Sequence, residues 1–213
     1  GRVAHGILEI MNLVGMHEVE PDEYLSRRFS YPVYTQLKGA GLYRHKLTGS
    51  YNRIDFHEHP EQYDCIFLPY SEQTDILLNG VYWEKIMPRL FEKEAIRSDR
   101  FIIQTIADIT DDVNGSIPIN LGDQTIEDPV YGVDRKSFEK TPPYLESSVD
   151  IVAVGNLPNE LPRDASRYFG EQLIKYILEY LIKGGSPMIE RATIADKGKL
   201  TPPYAYLKDY AAQ

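Results

Sequence analysis

Three aspartates, Asp108, Asp111 and Asp112, follow directly on the apolar run Phe101-Ile102-Ile103-Gln104-Thr105-Ile106-Ala107. Apolar, β-branched residues bounded by turn signals read as a buried strand. Carboxylates just past the C-terminal end of such a strand lie where open α/β sheets bind ligands. The plainer reading of the same acids is a solvated loop that caps the next element. Asn114-Gly115-Ser116 turns the chain after them, and Ile117-Pro118-Ile119 leaves the turn.

Two further runs end in the same way. Asp75-Ile76-Leu77-Leu78-Asn79-Gly80-Val81-Tyr82-Trp83 is apolar and carries Gly80 near its end, where a ligand or another backbone can approach closely. Val149-Asp150-Ile151-Val152-Ala153-Val154-Gly155 is the third, and Asn156-Leu157-Pro158 follows it. The connection between the first two runs is long enough for a helix, which predicts a βαβ unit and a parallel sheet. At the start of the chain, Ile7, Ile10, Met11 and Val14 keep helical spacing and Gly15 supplies a stop, so a short helix is expected over roughly 4–14. The preceding Gly1-Arg2-Val3-Ala4-His5-Gly6 would then be a glycine-containing loop opening that helix. Met16–Glu20 reads as a short strand, and Glu20 comes 19 residues after Gly1. That is close to the spacing at which a dinucleotide fold sets an acid on the adenosine ribose.

The remaining segments are less specific. Tyr31–Tyr34, Thr125-Ile126 and Val130–Val133 suggest short extended pieces, and 134–148 a polar loop. Pro60 to Leu68 looks helical, with Tyr63 and Phe67 facing inward. Ala165, Phe169, Leu173, Tyr176, Ile177, Tyr180 and Leu181 give one long helix an apolar stripe, read most simply as core packing, and Gly184-Gly185 end it. His57-Glu58-His59 invites a metal reading, but the i, i+4 spacing of a helical ligand pair is absent and Pro60 makes the run a surface loop. The chain carries no G-x-S-x-G and no G-x-x-x-x-G-K-[ST], so neither an elbow nucleophile nor a triphosphate loop is predicted.

Composition narrows the partners. With 213 residues, 42% of them hydrophobic and 26% charged, the chain can bury a sizeable core. A formal net charge of −9 argues against non-specific binding to nucleic acid or to an anionic membrane. A single cysteine, Cys65, rules out an internal disulfide framework and fits a reducing compartment. No apolar run reaches the roughly 18 residues of a membrane span, and no signal peptide is visible; the expected compartment is the cytoplasm. From the residues alone the expectation is the larger part of a Rossmann-like nucleotide-binding domain over 1–155, then a closing loop, a long helix and a tail over 156–213.

Several segments, in order, resemble lysine 2-oxoglutarate reductase, the saccharopine-forming half of the bifunctional lysine-degradation enzyme. They are Val19-Glu20-Pro21-Asp22-Glu23, His59-Pro60-Glu61-Gln62-Tyr63, Leu78-Asn79-Gly80-Val81-Tyr82-Trp83-Glu84-Lys85 with Pro88-Arg89-Leu90, and Asp108-Ile109 with Gly115-Ser116-Ile117. Thr125–Pro129 and Asn156-Leu157-Pro158, followed by Leu161-Pro162, Ala165-Ser166 and Phe169-Gly170, continue the match to about residue 183. More distantly the chain resembles the lysine-forming saccharopine dehydrogenases and alanine dehydrogenase.

The resemblance implies a Rossmann-like parallel sheet lacking its first strand, with C-terminal helices that return to a substrate domain outside these residues. By position it places Gly1, Arg2 and Val3 in the pyrophosphate loop, Glu20 on the adenosine ribose, and Gly80, Val81 and Tyr82 along the nicotinamide-side ribose. Ala107, Asp108 and Ile109 would lie near the nicotinamide, Asp112 where alanine dehydrogenases have an active-site aspartate, and Asn156 in the loop closing the cleft. The implied cofactor is NAD or NADP, with Glu20 favouring NAD by repelling a 2′-phosphate. The implied substrates are an amino acid and a 2-oxo acid, lysine and 2-oxoglutarate in the first instance, with an alanine dehydrogenase-like substrate or a non-catalytic nucleotide-binding module as the alternatives. The family's catalytic lysine and histidine lie in an N-terminal domain not represented here, so these 213 residues are expected to be inert alone. The helix over 162–183 could contribute to a homo-oligomer interface.

Overall fold

The computed structural model describes residues 1–212, and these divide into two compact units, the first Gly1–Gly155 and the second beginning at Asn156. The first unit opens with helix α1, Arg2–Leu13, N-capped by Gly1. Gly15 stops it at φ +72°, with its N–H bonded to the Asn12 carbonyl and that of Met16 to the Met11 carbonyl, both at 3.1 Å. This pair of bonds is the Schellman closure that a left-handed glycine permits. Strand β1, His17–Glu18, follows and pairs in parallel with β2, Val33–Tyr34; helix α2, Pro21–Ser26, lies between them. Strand β3, Tyr43–His45, helix α3, Arg53–Glu58, strand β4, Tyr63–Cys65, and the single turn α4, Leu68–Ser71, come next.

The central sheet has the order β5-β6-β9-β7-β8, formed by β5 Ile76–Asn79, β6 Thr105–Asp108, β7 Val130–Asp134, β8 Lys140–Thr141 and β9 Ser148–Val152. β5, β6 and β9 run parallel, while β7 and β8 are antiparallel additions at one edge. The sheet is therefore mixed α/β and mostly parallel in its central part, consistent with a Rossmann-like fold. Ile106, Val133, Val149, Ile151 and Ala153 are fully buried, with Ile103, Ile117 and Ile119 packed into the same core. Burying such side chains contributes about 1.5–3 kcal/mol each. Arg135 anchors the approach to β6, donating to the carbonyls of Ile96, Phe101 and Ile103.

Four expectations need correction. The helix expected over 4–14 begins at Arg2, so Arg2 and Val3 lie in its first turn and residues 2–6 do not form a loop. The segment 60–68 is not a helix: Pro60–Gln62 is one 3₁₀ turn, and Tyr63–Cys65 pairs antiparallel with β3. Its true signal is period two, since Tyr63 is buried, Asp64 exposed and Cys65 half-buried, and Tyr63 packs edge-on to Phe56 at 5.1 Å. The crossover from β5 to β6 contains no α-helix; its one regular piece is the 3₁₀ segment Lys93–Arg97, and the parallel register forms without helical cover. The polar loop 134–148 carries the short strand β8.

The second unit contains α5, Leu157–Glu160, then a continuous rod of α6, Pro162–Leu173, a π-helical segment Ile174–Leu178, and α7, Glu179–Lys183, ended by Gly184 at φ +79°. Helix α8, Pro187–Ala192, is capped by Ser186, whose Oγ accepts from the Ile189 N–H. A hairpin of β10, Ala195–Asp196, and β11, Lys199–Leu200, turns on Lys197 and Gly198, both at positive φ; α9, Lys208–Ala211, closes the unit. The expected core stripe of the rod is a correction too. None of this unit's described residues is buried, and Phe169 and Leu181 are 68% and 54% exposed.

Candidate functional site

Because β5, β6 and β9 are parallel neighbours, their C-terminal ends share one edge of the sheet. Asn79 and Asp108, the last residues of β5 and β6, are register partners there. The Asn79 Nδ2 donates to Asp108 Oδ1 at 2.7 Å and to Ser116 Oγ at 2.9 Å. Asn120 Nδ2 donates to Asp108 Oδ2 at 2.9 Å, and the Tyr131 hydroxyl donates to Asn120 Oδ1 at 3.1 Å. All five side chains are buried, Asp108 at 2% exposure and Asn120 at 0%.

This is a carboxylate held by amides, with no cation among its hydrogen-bond partners. Burial pushes the Asp108 carboxyl above its usual range; the amide donors and the Asp111 N–H pull it back, and the negative charge of Asp112 adds to the rise. Desolvation is the larger effect, as expected for a charge out of water. Asp111 is raised by the same cause.

The loop after β6 is shaped for close quarters. Asp111 and Asn114 take left-handed conformations at φ 55° and 51°, and a Cβ on Gly115 would stand 2.5 Å from the Cβ of Asp112. Non-glycine residues at positive φ concentrate at ligand and catalytic loops. Asp112 itself is exposed, and its carbonyl accepts from the Gly115 N–H at 2.9 Å. Across from it, Thr110 Oγ1 donates to the Val81 carbonyl at 2.7 Å, which ties the loops after β5 and β6 together.

The N-terminus of α1 meets this edge. A Cβ on Gly80 would lie 2.8 Å from Val3 Cγ1 and 3.0 Å from Ile7 Cδ1, so only glycine lets the first turns of α1 sit on the end of β5. The first intrahelical bond of α1 runs from the His5 N–H to the Gly1 carbonyl. The N–H groups of Arg2, Val3 and Ala4 thus point out of the helix start, an arrangement that favours an anion.

The expected site residues divide accordingly. Gly1, Arg2, Val3, Gly80, Val81, Ala107, Asp108 and Ile109 come together at the edge of the parallel strands. Tyr82 is 69% exposed and hydrogen-bonds Glu84. Glu20 is exposed just past β1, at the N-terminus of α2, and its side chain makes no capping bond there. Asp108 is buried, and its two oxygens accept from Asn79 and Asn120. Asn156 opens the second unit at φ 49° and precedes α5. Asn120 and Tyr131 were not singled out by sequence reasoning; the available signal was an asparagine ending the apolar run Ile117-Pro118-Ile119. No group of His, Cys, Asp and Glu able to hold a metal ion occurs among the described residues, and no described helix is long and apolar enough to cross a membrane.

No protein-family model matches the chain. Individual relatives do. Over 98% of its length it is 29% identical to "Alpha-aminoadipic semialdehyde synthase, mitochondrial" of Mus musculus, and over 97% it is 27% identical to "Alpha-aminoadipic semialdehyde synthase" of Arabidopsis thaliana. Over 58% it is 29% identical to "Saccharopine dehydrogenase [NAD(+), L-lysine-forming]" of Candida albicans. The chain spans 26% of the mouse relative's length, 22% of the Arabidopsis one's and 32% of the Candida one's. The resemblance carried by the short motifs thus extends along nearly the whole chain.

Proposed function

We propose that this chain is the nucleotide-binding part of a nicotinamide-dependent oxidoreductase acting on an amino acid, of the saccharopine-forming lysine 2-oxoglutarate reductase type. The observation that carries the reading is the seating of α1 on Gly80 at the C-terminal edge of the parallel strands. That is where doubly wound sheets take dinucleotides. The names of the relatives support it, and the Candida one carries NAD(+) in its name.

In this reading the free N–H groups of α1 bind the pyrophosphate and Glu20 accepts from the adenosine ribose, which favours NAD over NADP. Val81, Tyr82, Ala107 and Ile109 form the less polar wall on the nicotinamide side. The cofactor supplies a hydride to an imine formed from an amine and a 2-oxo acid. Asp112, exposed on the strained loop, faces the reacting groups and orders the substrate amine.

General acid–base work needs a group within hydrogen-bond reach of the proton it moves. The lysine and histidine to which the resemblance gives that work are not matched within these 213 residues, so the chain is expected to bind the cofactor without turning over. The test is titration of the chain with NADH and NADPH, followed by a turnover assay with lysine and 2-oxoglutarate. Saturable binding with NADH preferred, and no turnover, is the expected result. Absence of binding to either dinucleotide would overturn the assignment, and measurable saccharopine formation would overturn the inertness.

A further inference from the structure

The arm that follows β5 borders a second feature, which the cofactor reading does not use. Between Trp83–Glu92 and the tip of the β6 loop lies a groove of ≈ 580 Å³, lined by Trp83, Lys85, Met87, Arg89, Glu92 and Val113 among others. Arg89 is its most constrained cation. Its guanidinium stands 5.8 Å from the centre of the Trp83 ring, one NH2 donates to the Asn114 carbonyl at 2.9 Å, and its side chain is 28% exposed. Trp83 is itself held by its Nε1–H bond to the Met87 carbonyl at 3.1 Å. The Leu90 N–H donates to the Ser116 carbonyl, so the arm is fastened to the β6 loop at two points.

The charges of the groove do not balance. Lys85 and Arg89 face one acid, Glu92, whose oxygen is 3.8 Å from Arg89 and whose side chain is 74% exposed. A pair so open to solvent competes weakly for the guanidinium. Arg89 retains N–H donors beyond the one given to Asn114, in the planar fork that matches a carboxylate. Met87, Val113 and the Trp83 face supply an apolar flank beside it. A guanidinium pre-ordered on an indole, a second cation and an aliphatic wall together suit one class of ligand.

We infer that this groove is a binding subsite for an aliphatic carboxylate, with Arg89 as the anchoring cation, Lys85 as the second charge, and Trp83 with Met87 and Val113 packing the carbon chain. That the carboxylate belongs to the 2-oxo acid substrate rests on the function proposed above; the subsite itself does not. The competing account makes Arg89 only a staple between two loops.

Trp83 is the single tryptophan of the chain, so its fluorescence reports the groove alone. The chain would be titrated with glutarate and 2-oxoglutarate, with uncharged glutaramide of similar shape and inorganic phosphate as controls. Both dicarboxylates are expected to quench saturably, with glutaramide and phosphate ineffective. Arg89→Met is expected to weaken glutarate about ten- to hundredfold, the loss of a charge-assisted contact, with Arg89→Lys and Lys85→Met intermediate. An absent dicarboxylate response in the unaltered chain, or one matched by glutaramide or phosphate, would overturn the inference without reliance on any variant's folding. NADH binding, read by the dinucleotide's own fluorescence, is scored separately: its loss with glutarate binding retained sinks the cofactor reading alone, and the reverse sinks the subsite alone.

Discussion

Asn79 and Asp108 end adjacent parallel strands in register, and the amide of the first donates to the carboxylate of the second at 2.7 Å. With the Thr110–Val81 bond, this contact ties together the two loops at the C-terminal edge of the parallel strands. Ser116 and Asn120 extend the same contact to the far side of the β6 loop.

Asp108 is the only carboxylate among the five buried side chains of the network, which makes Asn120→Asp informative. A second carboxylate would replace a donor 2.9 Å from Asp108 in a fully buried site. Two carboxylates so close cannot both ionise cheaply. The variant is expected to lose about 3–5 kcal/mol at pH 7.5, the scale of an uncompensated buried charge. Much of that loss should return near pH 5, where one proton is shared. Urea denaturation at both values checks it, and a pH-independent deficit would exclude the charge explanation.

Asp108 also gives the unaltered protein a signed pH dependence. Its folded carboxyl binds a proton more tightly than the unfolded one, chiefly through desolvation. The stability tied to this group is therefore fully present at low pH and is lost as pH rises from the ordinary carboxylate range through the higher folded value. Asp108→Asn removes that slope and turns one acceptor into a donor against the amides, at a cost of about 1–3 kcal/mol. The gap between variant and parent should be wider at pH 5 than at pH 7.5 in paired urea titrations.

Gly80→Ala should act through the seating of α1. The added Cβ meets Val3 Cγ1 at 2.8 Å and Ile7 Cδ1 at 3.0 Å, so those side chains or the first turns of α1 must shift. Overpacking of this kind costs about 1–3 kcal/mol. The expected signature is weaker dinucleotide binding by calorimetry with far-UV circular dichroism unchanged. Unaltered affinity would separate α1 from the cofactor.

Glu20→Ser removes the negative charge proposed to oppose a 2′-phosphate. The ratio of NADPH to NADH dissociation constants should fall, and most of the change should be in the NADPH value at low salt, where screening is least. A ratio that does not move would take Glu20 out of cofactor selection.

The alternation of apolar and turn residues marked β5, β6 and β9 in the chain itself, since central strands of a parallel sheet read as continuous apolar runs. The helical spacing of α1 and its glycine stop were equally legible, because both depend on contacts within a few residues. Short segments were read less well. β4 spans three residues, and its two-residue period is too brief to outweigh a general impression of amphipathic helix until β3 is seen to pair with it.

The candidate site divides along the same line. The residue types at the strand ends, the acids after β6 and the glycine after β5 were determined by sequence, because chemistry and close approach each limit the choice of side chain. The partners of those acids were decided by tertiary structure alone. Asp108 reads from its position only as an acid at a strand end, whereas Asn79, 29 residues earlier, and Asn120, 12 residues later, each donate to one of its oxygens. Hydrogen-bond partners that distant in the chain leave no local pattern; only the register of the sheet and the fold of the loop bring them together.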